Sequence, residues 1–171
     1  LKQGHIAAMT TIRELCSTGQ LDAAGQYIRQ NYTPFLETPF MRSLVPLGLI
    51  GATHAMKSEG EDPRVIEAVL REAVAAGQTV WGSEHPYIAW ALSDLAMLLR
   101  DQGRLDEAET LAREALVMRR KILGNENPDT VESLKGLIDV LQREGKSAEA
   151  DKLRREMALP GDDVPRPPST E

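Results

Sequence analysis

Leu92, Leu95 and Leu99 recur as Leu134, Leu137 and Leu141, and the i, i+3, i+7 spacing in each set marks one face of an α-helix. The stretch that follows keeps the rhythm. From Leu105 to Leu123, apolar Ala108, Leu111, Ala112, Ala115, Leu116, Met118 and Ile122 hold helical spacing, with charged residues between them. Acids lead and bases trail, which suits the helix dipole. Punctuation repeats as well. Gly82-Ser-Glu-His-Pro86 returns as Gly124-Asn-Glu-Asn-Pro128, an offset of 42 residues that also relates Gly103 to Gly145 and Ala108 to Ala150. Pro86 and Pro128 suit a first helical turn, where proline forfeits no hydrogen bond, and His85 and Asn127 stand where an N-cap belongs. Gly103 and Gly145 fall where a left-handed residue closes a helix.

Each unit is therefore a helix, a tight turn at glycine and a second helix. Such a hairpin cannot bury its apolar stripe alone and must stack on neighbours. The period extends backwards in weaker form: Arg71-Glu72-Ala73 lies 42 residues before Arg113-Glu114-Ala115, and Gly19 to Asp22 lies 84 before Gly103 to Asp106. The pattern predicts an all-α repeat fold of about four hairpins in residues 1–159, with units near 4–32, 40–81, 86–123 and 128–159. The expected helices are Gly4–Thr18 with Leu21–Tyr32, Phe40–Ser58 with Pro63–Trp81, Pro86–Gln102 with Leu105–Leu123, and Pro128–Glu144 with Ser147–Leu159. The second unit is the least regular, because Pro46, Gly48 and Gly51 loosen its first helix and Gly60 to Pro63 replaces the short turn. Thr33 to Pro39 reads as a proline-bounded connection, and residues 160–171, rich in Pro, Asp and Ser, as a disordered tail.

Composition narrows the function classes. Of 171 residues 27% are charged and the net charge is −6, a balance that argues against a nucleic-acid surface, which needs a basic stripe. No apolar run approaches the roughly 20 residues that span a bilayer, so no membrane association is expected. The single cysteine, Cys16, cannot form an intrachain disulfide and points to a reducing, cytoplasmic setting. It has no identifiable base beside it and reads as a small apolar residue. His5, His54 and His85 lack metal-ligand spacing, so neither metal nor cofactor is expected, and His85 reads as a helix cap. No convergent acid–base set suggests an enzyme. The run Arg119-Arg120-Lys121 reads as a solvated patch offsetting a helix C-terminus. The start at Leu1 without Met reads as a piece cut from a longer polypeptide.

The residues Ala91 to Ala108, then Arg113 to Leu116, Arg119 to Gly124 and Asn127-Pro128-Asp129, resemble tetratricopeptide repeats. They are most similar to the 42-residue form found in the kinesin light chain and in many bacterial proteins, over roughly residues 82–157. The resemblance implies a right-handed superhelix whose first helices line a concave groove that binds a peptide or protein partner. Carried over position by position, it assigns Trp90, Ser93, Asp94, Met97, Arg100 and Asp101 to the groove in the third unit. In the fourth it assigns Glu132, Lys135, Gly136, Asp139, Gln142 and Arg143. Trp90 is the expected anchor, while Trp81 belongs to the core. Where the kinesin-light-chain type carries an Asn-Asn pair, this chain has Ser93-Asp94 and Lys135-Gly136, so the family's amide clamp on a peptide backbone is not carried over. Nor are the Lys and Asn of a chaperone-type carboxylate clamp. In bacteria such arrays are appended to serine/threonine kinases and other signalling proteins, so a regulatory or recruiting appendage is the alternative role. The outer face of the first helix, lacking a cap, is the expected place for self-association.

Overall fold

The computed structural model describes residues 2–18, 20–32 and 39–157. Among them run eight helices and no strand: α1 (Lys2–Ser17), α2 (Leu21–Tyr32), α3 (Pro39–Ser58), α4 (Pro63–Trp81), α5 (Pro86–Asp101), α6 (Leu105–Leu123), α7 (Pro128–Arg143) and α8 (Ser147–Met157). Every boundary falls within two residues of its expected place. The expected tail and residues 33–38 of the first connection lie outside the described residues.

Three helices start by one device. Asp62, His85 and Asn127 each precede a proline and accept a hydrogen bond from the backbone N–H two residues on, at 2.8, 3.3 and 2.9 Å. Proline has no N–H to satisfy, so the cap serves the next donor. Gly82 and Gly124 end α4 and α6 at φ 81° and 85°, a conformation that glycine adopts without penalty. Pro46 lies inside α3 and is buried, yet the helix continues through it. The expected loosening amounts to one forfeited helical hydrogen bond, held in place by packing on α4.

Within the last three units α3 packs on α4, α5 on α6 and α7 on α8. Between units α4 packs on α5 and α6 on α7, each second helix meeting the next first helix. The first hairpin departs from this rule, because α1 and α2 pack chiefly on α4. Ile12, Cys16, Ala24 and Ile28 share one core with Val65, Ile66, Val69, Leu70 and Ala73. Arg13 pairs with Glu61, and Arg29 with Glu72 at 2.6 Å, around that seam. Every residue from Val65 to Leu70 is buried, as a helix enclosed on several sides requires.

Ion pairs tie successive units together. Buried Glu67 receives Arg71 and Arg104, both at 2.8 Å, and Arg71 reaches on to Glu107 at 3.2 Å. One period later Glu109 receives Arg113 at 2.6 Å and Lys146, and Arg113 reaches on to Glu149 at 2.7 Å.

Candidate functional site

Helical spacing puts Trp90, Ser93, Asp94, Met97 and Arg100 on one face of α5, away from Leu92, Leu95 and Leu99, which are buried. On α7 the same spacing aligns Asp129, Glu132, Ser133 and Gly136. The two faces bound one concave cleft of about 70 Å³. Ser93 Oγ and Ser133 Oγ meet across it at 3.2 Å. Arg100 closes one end, pairing with Asp139 at 2.9 Å and with its neighbour Asp101 at 2.8 Å. Asp94 accepts from Lys57 of α3 at 2.9 Å and lies 3.7 Å from His54 Nε2. The His54 imidazole stacks on the Trp90 indole, centroids 4.6 Å apart and planes 11° from parallel. Trp90 is half-buried, whereas Met97 remains 42% exposed.

The cleft therefore brings together Trp90, Ser93, Asp94, Met97, Arg100, Glu132 and Gly136. Asp101 and Asp139 join its rim through Arg100. Lys135, Gln142 and Arg143 are exposed and do not line it; Arg143 instead pairs with Asp139 at 3.2 Å. His54, Lys57 and Ser133 contribute to the site without having been singled out by the sequence.

Arg119 requires a correction. Arg120 and Lys121 are solvated as expected, pairing with Glu156 at 3.5 Å and with Glu84. Arg119 is only 5% exposed. Its Nη1 donates to the Asp129 carbonyl and to Ser133 Oγ, each at 2.7 Å. Burial pushes its pKa down, with Asp129, Glu132 and Asp94 pulling the other way. The signal was positional: Ala108, Ala112, Ala115 and Arg119 form one helical stripe, and the first three are buried.

A second cavity, of about 390 Å³, adjoins the cleft and is walled by α3, by the start of α5, by the end of α6 and by the start of α7. Trp90, Arg119 and Asp129 line both. Elsewhere, Cys16 is wholly buried and its thiol is pushed up to about 11, so it carries no thiolate at neutral pH. Trp81 is half-buried and stacks on His85 at 4.3 Å. Among the described residues no group of three or more His, Cys, Asp or Glu could hold a metal ion. Likewise no described helix is long and apolar enough to cross a membrane.

Residues 88–129 match the family model for tetratricopeptide repeats. No curated protein sequence matches the chain. Among solved structures, BtubC (BKLC) from P. vanneervenii is 18% identical with a TM-score of 0.59, over 90% of this chain. The match spans 64% of the length of BtubC. A putative kinesin light chain from Podosopora anserina, with nearly identical TPR-like repeats, is 20% identical with a TM-score of 0.62, over 92% of this chain and 78% of its own. At these identities the likeness establishes the fold. Together with the repeat match over residues 88–129 and the 42-residue period, it gives the described helices a tetratricopeptide-repeat fold similar to that of the kinesin-light-chain-like structures.

Proposed function

We propose that the concave face of α3, α5 and α7 binds a peptide or protein partner, with Trp90 and Met97 supplying apolar contact and Asp94 and Arg100 fixing its position. Tetratricopeptide repeats mediate protein–protein interaction in general, and the fold is typically a non-catalytic scaffold. One observation carries the assignment to this face: Met97 stays 42% exposed beside the half-buried Trp90 in a cleft otherwise edged by polar groups. Apolar anchors inside a polar rim are the composition of an interaction hot spot. Two of the groove's charges are engaged, Asp94 with Lys57 and Arg100 with Asp139, while Glu132 and Arg119 face it without an ion pair among the described residues. Charges of both signs face the groove, which makes binding salt-sensitive without a strong sign preference.

Affinity capture from the native lysate, with wild type and with Trp90→Ala combined with Arg100→Ala, tests the assignment. The doubly substituted protein, checked as folded by circular dichroism, is expected to lose the partners that wild type retains. Recovery of the same partners from both proteins places the interface elsewhere.

A further inference from the structure

We propose that the cavity between α3, α5, the end of α6 and the start of α7 is a small-molecule site for an amphipathic monocarboxylate, its aryl or branched-alkyl group seated against Trp90 and Tyr87 and its carboxylate on Arg119. This goes beyond the peptide groove, an adjoining space that shares Trp90, Arg119 and Asp129 with the cavity.

The cavity measures about 390 Å³, within the range of small-ligand pockets. Its walls are apolar where a ligand body would lie: Leu47 and Ile50 from α3, Tyr87 and Trp90 from α5, and Leu123 from the end of α6. Leu47 is 37% exposed and Tyr87 44%, so apolar surface is left open to an occupant. Gly51 completes the α3 wall. Glycine inside a helix is a liability, and packing within the chain does not demand it here, since a Cβ would meet nothing within 4 Å. Gly51 is itself exposed and adds no side chain to that wall.

Arg119 supplies the polar end. It is 5% exposed and, among the described residues, forms no direct ion pair, although Asp129, Glu132 and Asp94 lie near enough to favour its charge. Nη1 is occupied by the Asp129 carbonyl and Ser133 Oγ, whereas Nε and Nη2 donate to no described residue. That leaves free the side of the fork that pairs with a carboxylate through two parallel hydrogen bonds. Those carboxylates offset the buried charge but leave the two donors without hydrogen bonds, and a ligand carboxylate would satisfy both. Asp129 in the same wall, with Asp94 and Glu132 acting on the same arginine, weakens the binding of any anion and of a dianion most, so a single negative charge is the class favoured. Because Trp90 and Arg119 also line the cleft, occupancy of the cavity acts on the peptide groove directly.

The test is a titration of 4-phenylbutyrate, followed by heat and by indole fluorescence, against its neutral analogue 4-phenylbutanamide. For a ligand of this size Kd is expected on the order of 1 mM, with the amide bound at least about tenfold more weakly. Gly51→Leu fills the cavity and is expected to abolish binding without lowering the melting temperature. Should it lower the melting temperature, Tyr87→Ala decides, with an expected loss of about threefold or more for an aromatic wall removed. The proposal is overturned if 4-phenylbutyrate gives no saturable signal up to about 20 mM. Equal binding of the amide overturns it too, as does wild-type affinity in the deciding variant. Partner capture reads the groove and this titration reads the cavity, so either can fail without the other.

Discussion

Arg104 and Lys146, 42 residues apart, hold the same station in successive units. Each reaches from the turn of its own hairpin to a glutamate on the second helix of the unit before, Arg104 to Glu67 at 2.8 Å and Lys146 to Glu109. The residue two places earlier differs. Beside Arg104 stands Gln102, whose amide oxygen accepts from Arg104 at 3.3 Å. Beside Lys146 stands Glu144, with only 6% of its side chain exposed. Lys146 Nζ lies 3.0 Å from one of its oxygens, but off the hydrogen-bonding direction, so neither oxygen has a hydrogen bond.

Burial raises the Glu144 pKa above its ordinary 4.5, Lys146 opposes the rise and Glu109 adds to it. A carboxyl raised in the folded state favours folding while protonated and loses that contribution as pH rises through its folded pKa. Glu144→Gln, which restores the residue type of the preceding unit, is therefore expected to stabilise the fold at pH 7 by on the order of 1 kcal/mol. The gain should vanish below pH 4.5, where wild type carries the proton in both states. Urea denaturation at the two pH values checks this.

Glu109 has the opposite sign. Burial alone would raise it, but the hydrogen bonds from Lys146 and Arg113 outweigh burial and hold the carboxyl at about 2. Its contribution to stability is full above 4.5 and is lost as pH falls toward 2. Glu109→Gln should flatten acid denaturation over that interval, and an unchanged acid limb would remove Glu109 from the inter-unit tie.

Gly77 and Trp81 occupy in the second unit the stations of Arg119 and Leu123 in the third. A Cβ at Gly77 would stand 3.0 Å from Ile88 Cγ1 and 3.3 Å from two Trp81 ring carbons. Alanine is preferred over glycine in a helix by about 1 kcal/mol, yet overpacking costs about 1–3 kcal/mol. Gly77→Ala is accordingly expected to destabilise on balance, with altered Trp81 fluorescence. A stabilised variant would mean that Ile88 yields freely.

Ala108 is wholly buried where α6 meets the core shared with α4 and α5. Ala108→Leu is expected to cost about 1–3 kcal/mol by overpacking. Unchanged denaturation would put the α6 interface on another face.

His85 and Asn127 are equivalent caps, so His85→Asn should be close to neutral while His85→Ala costs about 1 kcal/mol. Comparing the two melting temperatures separates the cap from the ring stacked on Trp81.

Helix ends are legible in the sequence because prolines and glycines carry them: Pro63, Pro86 and Pro128 behind their caps, Gly82 and Gly124 at the stops. The groove face of α5 follows from helical spacing once the repeats are aligned. That of α7 follows only in part, since Glu132 and Gly136 line the cleft whereas Lys135, Gln142 and Arg143 are turned to water. Arg119 escapes because residue type outweighs position when an arginine stands beside Arg120 and Lys121. What buries it is the first turn of α7, a tertiary neighbour that no local pattern announces. The seat of the first hairpin escapes for a similar reason. The one clue is α4 itself, where Val65, Ile66, Ala68, Val69 and Leu70 leave hardly a polar side to face water.

That seat also sets a length. With α1 and α2 against α4, the concave face is carried by α3, α5 and α7, linked by His54 on Trp90 and by Ser93 to Ser133. Packed helices lie about 8–10 Å apart, so three axes span roughly 20 Å, which an extended strand crosses in about six residues. The domain is in this sense a short ruler. Under the function proposed above, an extended partner segment longer than that would overhang its edges, and only its central half-dozen residues would be read by the face itself.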